Sequence, residues 1–448
     1  MQHTCFDNSG TSGYSRIMLI LVLPFIIVLL AYGAYNLFFI PDPVISGLEA
    51  FEFLPAEETV TIRSENVTSI DIYLYQGGEK VELLIDKPEL SETTYSLPVR
   101  PKELGLADGS AIVVVKAKSG FLKKIKHEIR SVIDSDPPTL EVLKAPSVLN
   151  EGSAGVTVLR ANGADEVYVK LNDMKFKAFE SASPRDRDNQ RHPGSGDARM
   201  YHALFPAPFG IDSSNVFYAV AEDIAGNKNI KALSTSIISK VHRTSSITID
   251  KSFIEKIVSP LLNTVSISDH KSAFRMVNEE VRGNNHNTIL EIARKSGDRT
   301  QWKGRFLQLK NSKVMATYGD ERAYFFDGEE VSRSVHLGYD LASFSNAPVE
   351  AANSGTVLFA GDLGIYGNTV IIDHGLGLMS IYGHLSMMMV SDSQPVKKGE
   401  VIAKSGATGL AGGDHLHFGI LIHGHEVSPL YWWDPKWIEV NITNYLDY

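Results

Sequence analysis

The sequence predicts a mainly β protein. It reads as an N-terminal transmembrane helix, two β-sandwich domains, a small helical segment and a C-terminal, mostly antiparallel β domain. Three observations carry this. A 24-residue run without a charge lies near the N-terminus. Short alternating segments separated by turn residues recur from residue 43 to residue 435. One stretch, residues 245–300, instead repeats its apolar positions with the period of a helix.

Composition sets outer bounds. The chain has 448 residues, 43% hydrophobic and 21% charged, which fits about three globular domains. Its net charge is −10, from 43 basic and 53 acidic residues. That excludes nucleic acid as the main partner, because phosphate binding needs a basic surface. Cys5 is the single cysteine, so neither an intrachain disulfide nor a four-thiolate zinc site can form.

Ile17 to Ile40 form the uncharged run. As a helix it reaches roughly 36 Å, enough for a hydrocarbon core of about 30 Å with some tilt. Pro24 is tolerated in a membrane helix. Arg16 precedes the run, and Asp42, Glu49 and Glu52 follow it. The positive-inside bias puts residues 1–16 in the cytoplasm as a tail and 17–40 in the cell inner membrane as a single-pass anchor. Residues 41–448 then lie on the periplasmic or extracellular side. A cleaved signal peptide ending at Ala31-Tyr32-Gly33 is the rival reading, and it exports the same residues.

Residues 43–135 hold alternating segments such as Thr59–Arg63 and Ile70–Tyr75, with Gly77-Gly78 as a turn. Residues 137–240 repeat the pattern after Asp136-Pro137-Pro138. Both predict β-sandwiches. The phrases DSDPPTLEVL and YAVAEDIAGNKN resemble exported bacterial immunoglobulin-like domains. That resemblance says little about ligands; a separate reading makes these units a binding module that recruits envelope protein partners. Residues 181–199, rich in polar and turn residues, are expected as a long loop. In 245–300, Phe253, Ile254, Ile257 and Leu261, then Phe274, Val277 and Val281, recur at helical spacing, with Asp250 and Asp269 as N-caps. Ile289, Leu290, Ile292 and Ala293 add a third apolar stripe.

Histidine placement is the sharpest chemical signal. Of 14 histidines, seven fall between His336 and His425, and histidine is the commonest metal ligand. In His336-Leu337-Gly338-Tyr339-Asp340, an offset of four sets imidazole and carboxylate on one side of a strand, and also of a helix, and Gly338 with its turn-rich surroundings favours strand or loop. In His415-Leu416-His417-Phe418, a period of two points both imidazoles one way and the apolar residues the other. His384 closes the short apolar segment Ser380–Gly383. These elements supply two imidazoles and a carboxylate for zinc, with two imidazoles to spare. That is the arithmetic of a catalytic zinc site with one position open to water. His423 and His425 flank Gly424 in a hairpin and are expected to face solvent. Tyr431-Trp432-Trp433 and Trp437 are expected to cover the sheet edge.

Four separated elements, HLGYD, GTVLFAGDLGIYGNTVIIDHGLGLMSIYGHLS, VKKGEVIAKSGATGL and GDHLHFGI, occur in order. With them residues 315–435 resemble the lysostaphin-type zinc metalloendopeptidases that cut peptidoglycan cross-link peptides. Asp414 and Gly419 stand where proline and glutamate are common in such enzymes. The resemblance implies Zn2+ held by His336, Asp340 and His417. It makes His384 and His415 the general base and the transition-state partner, in an order the sequence leaves open. It also implies hydrolysis of peptidoglycan through hydroxide made available by zinc, and the uncharged N-terminal run adds the expectation that this hydrolase is membrane-anchored. The alternative is a non-catalytic, peptidase-like activator or scaffold for other cell-wall hydrolases. Residues 436–448 are expected as a C-terminal tail.

Overall fold

The structure is a computed structural model that describes residues 12–181, 198–264 and 267–447, with side chains in the first helix described from Leu23 onward. Cys5, most of the expected cytoplasmic tail and most of the expected loop at 181–199 lie outside the described residues. Helix α1 runs from Ser12 to Phe38 with Pro24 inside it. Among the described residues no helix is long and apolar enough to cross a membrane.

The chain divides into two compact units. The first contains a β-sandwich. One sheet joins Val44–Ser46, Glu58–Glu65 and Glu92–Val99. The facing five-stranded sheet includes β1 (Ser69–Gln76), β2 (Gly109–Ser119) and β3 (Lys123–Ile133), paired antiparallel. Alternation works as the sequence suggests: Ile70, Ile72 and Leu74 of β1 are fully buried, while the residues between them face outward.

The second unit begins with a sandwich whose two main sheets have four strands each, among them β4 (Ala154–Asn162) and β5 (Arg199–Pro206). It continues through β6 (Thr244–Thr248) into helical residues 251–261, labelled α2, and 270–293, labelled α3. Asp250 accepts from the Phe253 N–H at 2.7 Å and Asp269 from the Ser272 N–H at 3.1 Å. Each carboxylate thus satisfies a donor that a helix start leaves unpaired. The stripe at Ile289, Ile292 and Ala293 belongs to α3, which runs without a break from 270 to 293 through Gly283.

β6 pairs parallel with β7 (Asp320–Phe326), which pairs antiparallel with β8 (Glu329–His336). The principal sheet is antiparallel throughout. Its centre is β9 (Tyr339–Ala342), β12 (Leu416–Ile422), β11 (Leu378–Gly383) and β10 (Asn368–Gly375), in that spatial order. One apolar core joins this sheet to the second sandwich: Val156 and Leu204 share it with Phe306, Leu341, Phe418 and Trp432. Of the expected tail at 436–448, the described residues 436–447 do not hang free. Ile438 and Ile442, one helical turn apart, are buried in that same core. The hairpin histidines are likewise not solvent-facing. The His423 ring stacks on Phe179, with centroids 6.1 Å apart, and His423 Nε2 donates to the Leu204 carbonyl at 3.1 Å. His425 sets its edge against Phe176. A neighbouring domain covers a turn whose local sequence looks exposed.

Candidate metal centre

Sheet register assembles the site. On β12, His417 lies directly opposite Asp340 of β9 and, on the other flank, opposite Gly383 of β11. His384 follows Gly383 immediately. Its φ of +60° is rare for a residue with a side chain and ends the strand at this residue. Leu416 and Phe418 point the other way into the core, as a period of two requires. His336 and Asp340 do not share one strand face as the spacing suggests. His336 ends β8 and Asp340 belongs to β9, with Leu337-Gly338 as the break. Gly338 has a packing reason: a Cβ there would sit 2.5 Å from Cε1 of the His417 ring.

Three donor atoms converge. His336 Nε2 is 2.9 Å from Asp340 Oδ1 and 3.1 Å from His417 Nδ1, and His417 Nδ1 is 3.1 Å from the same carboxylate oxygen. His336, Asp340 and His417 are the group of such residues that could hold a metal among the described residues. His336 Nδ1 faces the Thr317 carbonyl at 3.0 Å. A carbonyl only accepts, so the proton sits on Nδ1 and the lone pair of Nε2 is turned toward the cluster. Zinc ligands about 2.1 Å from the ion in a tetrahedron lie roughly 3.4 Å from one another, so this nitrogen, oxygen and nitrogen set fits zinc with a slight opening.

His384 and His415 stand beside the cluster with ring centroids 4.7 Å apart. His384 Nδ1 meets the Thr408 carbonyl at 2.8 Å, and His415 Nδ1 meets that of Gly413 at 2.8 Å. Both rings are thereby oriented with Nε2 toward the cavity, that of His415 lying 3.6 Å from Asp340 Oδ1. Burial, helped by the facing His417 and His415, pushes His384 down to about 3. Burial acts to lower His415 too, but the hydrogen bond and charge of Asp340 outweigh it and raise that group. Burial acts to raise Asp340, yet His336, with hydrogen bonds from His415 and His417, holds its carboxyl well below the usual range.

A cavity of about 420 Å³ opens onto all five side chains. Part of its lining comes from outside the motif region: Ile247, Asp250 and Phe253, Phe274 and Arg282 of α3, and Arg322 and Tyr324 of β7. Arg322 is the main residue missed by the sequence reading. Its Nη2 donates to Asp340 Oδ2 at 3.3 Å and its Nε to Asp320 Oδ2 at 3.1 Å. Ser245 Oγ in turn donates to Asp320 Oδ1 at 2.6 Å. Alternation along β7 puts Asp320, Arg322 and Tyr324 on one face, which is the only local hint.

Other histidines and aromatics fall away from the site. His374 is fully buried between the Ser354 carbonyl and Ser380 Oγ. Trp432 is fully buried against Trp302 and Phe306. Asp414 accepts from Ser405 Oγ and the Asn346 N–H, so it ties two loops together.

Two imidazoles and a carboxylate around an open cavity, with two more imidazoles at its side, form a ligand set that fits zinc with a position left open. The profile of peptidase family M23 matches residues 334–429. Over 96 residues the chain is 40% identical to the DD-carboxypeptidase/endopeptidase Mpg of Neisseria meningitidis serogroup B, covering 21% of this chain and 22% of that protein. It is 40% identical over 92 residues to the lipoprotein NlpD of Yersinia enterocolitica, covering 20% of this chain and 94% of that sequence. It is 39% identical over 100 residues to the murein hydrolase activator NlpD of Salmonella dublin, covering 22% of this chain and 26% of that protein. The chain belongs to peptidase family M23. It spans about a fifth of the length of the Neisseria relative.

Proposed function

We propose that the protein is a membrane-anchored, exported zinc metalloendopeptidase that hydrolyses peptide cross-links of peptidoglycan. The observation that carries this is the convergence of His336, Asp340 and His417 at about 3 Å beneath an open cavity. In this reading those three residues hold zinc. Zinc bound there supplies Lewis acidity, polarising a carbonyl and lowering the pKa of coordinated water to about 7.

The remaining steps belong to the chain's own groups. His384 and His415, each held through Nδ1 by a carbonyl, present Nε2 to the reacting atoms. One accepts the proton of the attacking water and passes it to the leaving amine. The other donates to the oxyanion that forms on the attacked carbonyl. Arg322 occupies the second oxygen of Asp340 and keeps the first turned toward the metal. Ile17–Ile40 anchors the chain in the inner membrane, and the two sandwiches carry the cleft toward the wall.

Replacing Asp340 with Ala tests the reading. Wall digestion, followed by mass spectrometry of released fragments, should vanish, and bound zinc should fall. Undiminished digestion by that variant refutes the assignment. The activator reading draws on the Salmonella relative's name. It predicts that the intact chain with zinc releases no fragments alone but accelerates a second wall hydrolase.

A further inference from the structure

The first sandwich presents an apolar tip beside the end of α1. β2 and β3 are joined through Gly120, Phe121 and Leu122, and Phe121 is 70% exposed. The tip is tied to the helix. The Phe121 N–H donates to Oδ1 of the buried Asn36 at 3.0 Å. A Cβ on Gly120 would lie 2.6 Å from Cδ1 of Ile40. Lys123 Nζ is 3.0 Å from Asp42 Oδ1, just past the helix.

These contacts hold Phe121 and Leu122 level with the last turn of α1, whose Phe38 and Phe39 are also exposed. Leu90 joins them at this end of the sandwich. Its neighbour Ser91 accepts from the Asn66 N–H, and Thr68 donates to the Lys118 carbonyl. A lone exposed apolar residue needs no explanation. Aromatic and leucine side chains grouped at the end of a helix that carries no charge from Ile17 onward, with Lys123 and Lys124 next in sequence, have the composition of a membrane interface.

We propose that the β2–β3 tip docks on the surface of the bilayer that α1 enters. Phe121 and Leu122 enter the boundary between headgroups and acyl chains, and Lys124 faces the headgroup phosphates. The inference rests on the membrane-anchored reading above. It gives the first sandwich two attachments to the membrane, so the domain stands in a fixed orientation instead of swinging on the helix.

The test uses the full chain in vesicles of phosphatidylethanolamine and phosphatidylglycerol. In a Cys5→Ser background, an environment-sensitive fluorophore is placed at Phe121→Cys or, as a control, at Glu79→Cys. Ser69 pairs with Lys118 and Tyr75 with Ile112, so position 79 lies at the far end of the sheet, about 25 Å away. The expected result is a blue-shifted emission at 121 that brominated acyl chains quench, with no lipid effect at 79. A chain that survives a carbonate wash on the vesicles but keeps a water-like signal at 121 overturns the docking and leaves the anchor standing. Equal shifts at both positions also overturn it. A chain that washes off overturns the anchor itself.

Discussion

Two stretches of chain line the cavity, and they differ in kind. Residues 334–429 contribute all five histidine and aspartate side chains, from neighbouring strands whose register sets them side by side. Residues 244–326 contribute a strand, a helix face and Arg322, which reaches the site only through Asp340 and Asp320. The first stretch carries its chemistry in short spacings. The second carries it in long-range packing, and the alternation along β7 is all that hints at it locally. A family motif can thus name the groups that touch a metal while remaining silent about the groups that aim them.

The largest expected effect lies in the first stretch. Replacing His384 by Ala should lower turnover by about 10²–10⁴, the usual worth of a positioned acid or base, with zinc content unchanged by metal analysis. Loss of zinc along with activity would move His384 into the metal-holding set.

The second stretch is tested through Arg322. Arg322→Ala should weaken zinc binding about 10- to 100-fold in a chelator competition, the range typical of groups that orient a ligand. Arg322→Lys should recover only part, because a single ammonium cannot bridge both Asp320 and Asp340 as the guanidinium fork does. Equal zinc affinity in all three proteins would reduce β7 to a cavity wall.

Histidines outside the cavity give a third contrast. His374 and His423 are pushed down to about 4 by burial, against about 6.5 in an unfolded chain. Between those values the unfolded state binds protons that the folded state does not. Stability that is complete above pH 6.5 should therefore fall as the pH drops toward 4, by about 3 kcal/mol for each ring. Denaturant midpoints measured across this window check it, and His423→Phe should flatten the slope. A smaller effect is expected from Ser245→Ala. It removes one hydrogen bond to Asp320 and should cost about 1 kcal/mol, with less than a tenfold change in zinc affinity.

Much of the principal sheet was legible. The period of two at His415 and His417 foretold that both point away from the core, and Asp250 and Asp269 announced two helix starts. The HLGYD spacing led to the right pair of residues for a partly mistaken reason. The chain breaks at Gly338, and the His417 ring fills the space a side chain there would need. Thr317, Thr408 and Gly413 were illegible because they act through backbone carbonyls, which every residue possesses. His423, His425, Ile438 and Ile442 were misread because the domain that covers them is hundreds of residues away in sequence, in β4, β5 and their neighbours.

The sequence alone determined which side chains were available for metal chemistry and that His415 and His417 turn away from the apolar residues beside them, since both follow from residue type and a local period. Tertiary structure alone decided their mutual distances, the tautomer of each ring, the partner of Asp340 and the remainder of the cavity lining. Those depend on strands brought together across long stretches of chain, and a local spacing has no means of encoding what will pack against it.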